Sequence, residues 1–317
     1  MLIMKSNTAD SSLLVGRPCP VCGHSEAAER FRKKSLRIVQ CGRCPMIFAN
    51  PIEKGWADGS YYDQLSGPFF LSQNKLDGDY AKPIFARELR LFRKFCPRGT
   101  VIDVGCSTGA FLYQLNVSFP SDYSAIGLDI AGPALDHAES KGTRVLRESY
   151  PEATSLADNS AQAVTLWAVM EHLDDPRRFL AKTARVLAQG GYCFILVPNF
   201  RSLAVRLLGP KYRYIFPQHV NYFTRETLRH FVSTEPSLRV VYETSMHFNP
   251  IVIAQDWRRG GEFVSDQERA QLLKRTTSYK QSPILAPVKL ALAGVEAALS
   301  LLYLADNSVI VLQKTSR

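Results

Sequence analysis

The sequence predicts an α/β fold: a doubly wound sheet of seven strands closing in an antiparallel hairpin, with a small cysteine module in front of it. Three observations predict this. Short apolar runs alternate with helix-period segments from residue 100 onward, a glycine-bearing turn follows the first run, and two CxxC pairs precede them all.

The cysteines come first. Cys19, Cys22, Cys41 and Cys44 read CxxC, eighteen intervening residues, CxxC, a spacing that suits four thiolates around one tetrahedral Zn²⁺. Four sulfurs leave no position for water, so the metal is expected to be structural. Gly23 and Gly42 are expected to give the turns permissive backbone, with a strand at 35–40 and His24 as a bystander. Residues 1–50 are therefore read as a zinc ribbon with a flexible N-terminal lead. Cys96, Cys106 and Cys193 stand alone, as thiols do in a reducing compartment. No basic start followed by an apolar run and a small-residue cleavage site is present, and a cytoplasmic location is expected.

Residues 51–98 form a connector rich in Pro, Gly and aromatics (Pro51, Gly55, Trp56, Pro68, Phe69 and Phe70 among them) that leads into an amphipathic cap helix near 83–95. Tyr61, Tyr62 and Tyr80 either close a site or simply pack.

The third region, 99–317, carries the sheet. Apolar runs at 101–104, 125–128, 144–146, 163–169 and 192–197 are separated by helical patterns beginning at Gly109, Pro133 and Pro176, which argues for parallel strands covered on both faces. After a loop-rich stretch at 198–223 and a helix from Arg225, strands at 238–246 and 308–314 make the hairpin, interrupted by a helical insertion at about 250–305. Within it, 284–305 is long and apolar. Lys289 and Glu296 lie seven apart on one helical face, so a core or homodimer helix is expected, contact with a membrane surface is the second reading, and no spanning segment is expected.

Composition bounds the partners. The 317 residues are 46% hydrophobic and 21% charged, which excludes a disordered chain. Lys and Arg exceed Asp and Glu by 39 to 29, a formal charge of +10, and this favours an acidic partner. The basic residues are scattered, however, so a solvated face is preferred to a nucleic-acid groove.

Val101 to Gly109 reads VIDVGCSTG, an apolar strand running into a turn that opens a helix. Such a turn brings backbone N–H groups close to a ligand. About twenty residues on, the second strand ends in Asp129, where a carboxylate can accept ribose hydroxyls. Here the chain resembles the class I S-adenosylmethionine-dependent methyltransferases, in particular the UbiG-like, type 23 group of small-molecule enzymes, with their Rossmann-like sheet. Asp103 to Gly109 is similar to their motif DVGCGTG, with Ser107 in place of the middle glycine. The likeness continues through Ala157 to Ser160, Met170 to Pro176, Arg185 to Leu187 with Gly190 and Gly191, and Val197 to Asn199. It implies S-adenosylmethionine as cofactor, held by Asp103, Gly105, Cys106, Ser107, Gly109, Asp129, Ile130 and Glu171. The adenine-side acid has no clear counterpart, Glu152 being nearest.

Methyl transfer asks the protein chiefly to align donor and acceptor and to remove a proton. His172 is one candidate base, with scaffolding of the cofactor pocket as its other reading. The second lies in Gln218-His219-Val220-Asn221-Tyr222-Phe223, similar to an HxNYF segment over the acceptor side in zinc-bearing relatives. His219 is the preferred base and Tyr222 its companion, against a purely structural role for both. The expected function is methylation, first of a hydroxyl, on a small molecule, sugar or biosynthetic intermediate. The alternatives are a zinc-bearing rRNA base methyltransferase and a non-catalytic binding module that keeps the fold.

Overall fold

The structure is a computed structural model that describes residues 13–65, 69–82, 84–282, 284 and 286–315. Most of the expected N-terminal lead, and Pro68 and Pro83, lie outside the described residues.

Two short strands, β1 (Leu14–Val15) and β5 (Ile52–Glu53), pair antiparallel at the base of the cysteine module. Between them β2 (Ala27–Lys33), β3 (Leu36–Cys41) and β4 (Ile47–Ala49) form an antiparallel sheet. Helices α1 (Lys54–Ala57), α2 (Ser60–Leu65), α3 (Gln73–Asp79) and α4 (Ala86–Phe95) follow.

The large sheet then begins. Its strands are β6 (Gly99–Val104), β7 (Tyr123–Leu128), β8 (Val145–Leu146), β9 (Ala161–Trp167) and β10 (Leu187–Pro198), all parallel. Between them run α5 (Ala110–Ser118), α6 (Gly132–Ser140) and α7 (Pro176–Val186). Helix α8 (Leu203–Leu208), strand β11 (Asn221–Tyr222) and helix α9 (Arg225–Val232) lead to β12 (Leu238–Met246). Three helices, α10 (Pro250–Arg259), α11 (Asp266–Gln281) and α12 (Ala286–Leu301), precede β13 (Asn307–Lys314). The order β12-β13-β10-β9-β6-β7-β8, with β13 antiparallel to both neighbours, is the Rossmann-like seven-stranded sheet with its closing hairpin.

Strand periodicity explains how the sheet is buried. Val101, Ala163, Phe194 and Val311 point to one face, where Leu89 and Phe92 of α4 and Phe111 and Leu112 of α5 cover them. Ile102, Val164, Ile195 and Ile310 point to the other, in a core that continues through Met170 and Phe223 to Val21, Val39 and Phe48 of the cysteine module. Module and sheet thus share one hydrophobic core. Each fully buried side chain of this size contributes roughly 1.5–3 kcal/mol. The helices start where local chemistry lets them: Pro176 opens α7 with Asp175 accepting the Arg177 N–H, and Asn249 accepts two N–H groups at the start of α10.

The apolar helix departs from the expected core role. Within this chain α12 buries only Glu296 and Leu299, while Leu290, Leu301 and Leu302 are exposed. Glu296 is the anchor: it accepts the His247 N–H at 2.8 Å and pairs with Arg87. No helix among the described residues is long and apolar enough to cross a membrane.

Candidate functional site

Residues 105–109 link β6 to α5 through three left-handed backbone positions, Gly105 (φ 69°), Ser107 (φ 48°) and Gly109 (φ 73°). Gly105 has no room for a side chain, because a Cβ there would lie 2.7 Å from Val169 Cγ2. Ser107 adopts the left-handed geometry itself, so the family's middle glycine is dispensable for the turn's shape. The end of the neighbouring strand holds the turn. Gly105 and Cys106 both donate to the Leu128 carbonyl, at 2.7 and 3.0 Å, and the Ser107 N–H donates to Asp129 Oδ2 at 2.8 Å. Asp129 Oδ1 also accepts from Ile130 and Ala131, at 2.7 and 3.1 Å. Three of roughly four lone-pair sites on this carboxylate are therefore used. Burial raises its pKa against the pull of those donors.

Asp103 lies beneath the turn, almost fully buried, accepting the Thr165 hydroxyl at 2.6 Å. Burial pushes its carboxyl up to about 7.

The turn borders a cavity of about 380 Å³. Asp103, Gly105, Cys106, Ser107, Asp129 and Ile130 line it, as do His172 and Gln218. Gly109 and Glu171 do not. Gly109 packs toward Ala138 on α6, and Glu171 sits behind His172. Glu148 and Ser149 line the cavity, whereas Glu152, the nearest counterpart in the sequence, is absent from its wall and pairs with Arg178. Sequence reading missed Glu148 because it lies in an irregular segment after β8. It also missed the aromatic wall of Trp167, Phe85 and Phe111, and Arg269 from α11, whose guanidinium stacks on Phe69 and Phe216 at 4.6 and 4.7 Å. Of the three connector tyrosines, Tyr62 lines the cavity and Tyr80 donates to the Thr108 carbonyl.

Beyond β9, Met170–His172 form one tight 3-10 turn, clamped by the segment at 218–223. Val220 donates to the Glu171 carbonyl at 2.8 Å. The Asn221 amide donates to the carbonyls of Met170 and Leu173 at 2.9 and 2.7 Å. His172 and His219 meet with ring centroids 4.7 Å apart. Their Nδ1 atoms lie 2.9 Å from the carbonyls of Gln218 and Tyr214. A carbonyl only accepts, so each Nδ1 carries the proton and each Nε2 a lone pair. Burial pushes His172 down to about 4 and His219 well below its ordinary range, and raises Glu171 to about 8. His219 and Tyr222 are buried behind His172, away from the cavity wall.

The four cysteines of the module converge, with Cys19 and Cys44 Sγ 3.5 Å apart and Cys22 and Cys41 Sγ also 3.5 Å apart. Zn–S bonds of about 2.3 Å in a tetrahedron put sulfurs about 3.8 Å apart, so this donor set fits zinc with a slight expansion. Gly23 takes the left-handed backbone expected of it, at φ 74°. Gly42 does not; its N–H donates to the Glu26 carbonyl at 3.0 Å, and the second turn is closed without positive φ there. His24 stands outside the sulfur cluster.

A family profile described as a methyltransferase domain matches residues 76–234. The chain belongs to this methyltransferase family. It is 33% identical over 104 residues to a malonyl-[acyl-carrier protein] O-methyltransferase of Hahella chejuensis, a stretch covering 32% of this chain and 37% of that protein. It is 29% identical over 206 residues to a probable S-adenosylmethionine-dependent methyltransferase of Mycobacterium tuberculosis, covering 64% of this chain and 71% of that one. Among solved structures, a methyltransferase of Thermotoga maritima described as a possible histamine N-methyltransferase superposes with a TM-score of 0.51 at 15% identity, covering 81% of this chain and 99% of that chain. At that identity the likeness speaks for the fold alone. With just over a third of the Hahella protein spanned, its acceptor belongs to that protein.

Proposed function

We propose that this methyltransferase uses S-adenosylmethionine to methylate a hydroxyl on a small-molecule acceptor, with a structural Zn²⁺ held by Cys19, Cys22, Cys41 and Cys44. The observation that carries the reading is the shared cavity: Gly105 to Thr108 of the turn, Asp129 and His172 all face one volume of about 380 Å³. S-adenosylmethionine would supply a methyl group on a sulfonium, open to in-line displacement. The remaining work falls to the chain. Asp129 keeps capacity for about one further hydrogen bond, suited to a ribose hydroxyl, and Glu148 and Ser149 stand on the adenine side. The Ser107 hydroxyl, buried and without a hydrogen-bond partner among the described residues, would meet the amino-acid end.

On the acceptor side, Trp167, Phe85 and Phe111 form an apolar wall that excludes water and favours a compact organic acceptor. The neutral His172, with its lone pair on Nε2, would take the hydroxyl proton as the oxygen attacks, and His219 would hold its ring edge-on. The O-methyltransferase name of the Hahella relative supports an oxygen acceptor.

Two measurements test this reading. Calorimetry with S-adenosylmethionine gives saturable binding, and transfer of an isotopically labelled methyl from it marks the product in a metabolite extract. Absence of binding would sink the proposal. His172→Ala lowers kcat by about 10²–10⁴ with cofactor affinity retained.

A further inference from the structure

The cluster of Glu171, His172 and His219 carries more than a proton-transfer pair. Its donor atoms, one from each residue, lie within 4.8 Å of one another, with His172 Nε2 4.0 Å from Glu171 Oε1. Both imidazoles use Nδ1 on a backbone carbonyl. That is the outer-shell bond that fixes a metal-binding histidine with its other nitrogen forward. Glu171 is 2% exposed and its Oε2 has no hydrogen-bond partner among the described residues. A buried carboxyl oxygen left without a hydrogen bond is costly, and Oε2 stands in that position beside the two imidazoles.

We infer that Glu171, His172 and His219 form a second metal site, taking one divalent cation such as Zn²⁺ or Mn²⁺ through two imidazole nitrogens and one carboxylate. The inference rests on the hydroxyl-methylation reading only for its purpose. Two histidines and a glutamate are a donor set of catalytic zinc sites, which keep a position open for a substrate oxygen. Bonds of about 2.0–2.2 Å require the three side chains to draw in by about 1 Å, a movement within reach of side-chain torsions. His172 lies on the cavity wall with Glu171 and His219 buried behind it, so an acceptor oxygen would reach the metal from the His172 side. Oxygen bound there becomes more acidic. With its Nε2 on the metal, His172 would no longer act as the base: the acidified hydroxyl would give its proton to water at the cavity mouth as the O–CH₃ bond forms and the S–CH₃ bond breaks to leave neutral S-adenosylhomocysteine. Arg269, the cation that faces both rings from α11, is engaged by Asp266 at 3.1 Å and by its two aromatic neighbours.

The test is metal content of the full chain with its cysteine site zinc-filled. Titration with Mn²⁺, followed by electron paramagnetic resonance and elemental analysis, is expected to give one tightly bound equivalent beyond the zinc. Glu171→Gln and His219→Gln each lose it, while S-adenosylhomocysteine binding, read by calorimetry, reports that the fold persists. Wild-type protein that takes up no second equivalent while binding S-adenosylhomocysteine overturns the inference, as does an equivalent that both variants retain. If either variant fails to fold, His172→Asn supplies the same comparison. A second equivalent without methyl transfer to any hydroxyl leaves the metal site standing and removes the functional reading. Transfer that needs no second metal does the reverse.

Discussion

Phe48 of the cysteine module and Asn221, two residues past His219, are direct partners in one antiparallel ladder. Strand β11 extends the module's sheet in the order β11-β4-β3-β2. From the same residue, the Asn221 side chain reaches across to the carbonyls on either side of Glu171 and His172. Arg17 ties the arrangement from the other side, donating to Asn221 and to the Asp174 carbonyl. The module is therefore part of the scaffold of His172 and His219.

Loss of the cysteine site is accordingly expected to damage acceptor chemistry before cofactor binding. Cys41→Ser, or removal of zinc by a chelator, lowers methyl transfer while S-adenosylhomocysteine affinity stays near that of the intact protein. Asn221→Ala produces the same split at a stability cost of about 2–3 kcal/mol, since it removes the three side-chain hydrogen bonds to Met170, Leu173 and Arg17. Parallel calorimetry and turnover measurements check both; equal losses of affinity and turnover contradict the coupling.

Asp129→Ala removes the acceptor for three backbone N–H groups. Those donors lose their partner and the Ser107 backbone loses its tether, so cofactor affinity falls by about 2–3 kcal/mol or more. Calorimetry reads it directly, and a change below a factor of about ten would count against Asp129 as the organiser of the turn.

Gly105→Ala introduces a Cβ 2.7 Å from Val169 Cγ2 on a backbone of φ 69°. Destabilisation of about 1–3 kcal/mol is expected. Val169→Ala in the same chain recovers only the steric share, because the left-handed strain remains. Denaturant melts of the two single variants and the double variant separate the parts.

The Asp103 carboxyl, raised by burial to about 7, gives a pH dependence of definite sign. An unfolded Asp ionises near 3.9, so between those values the folded chain keeps a proton that the unfolded chain has lost. The group's contribution is full at low pH and is lost as pH rises through the folded value. From about pH 5.5 to 8 the stability of wild-type protein relative to Asp103→Asn is expected to fall by about 2 kcal/mol. Thermal melts across that range measure it; a flat difference would mean that Asp103 is ionised in the fold.

Much of this was legible in the linear chain. The alternation of apolar runs and helical patterns marked all seven strands, because strands buried on both faces must be apolar throughout. The first turn and Asp129 were legible because they lie at the ends of adjacent strands, where short-range spacing is enough. Two features were not. Glu148 follows the two-residue strand β8, with no periodic pattern to mark it, and Arg269 belongs to an insertion whose packing over the cavity has no local signature.

By itself, the sequence determined the α/β layering, the glycine-bearing turn after the first strand and the gathering of four cysteines, since each depends on residue types at fixed short spacing. Only the tertiary structure decided that His219 meets His172, that Glu171 stands buried behind them and that the cysteine module holds this group in register. Those relations come from strand pairing and side-chain contact between segments about fifty to two hundred residues apart in the chain. Such contacts are set by the packing of one shared core and not by any neighbouring residue.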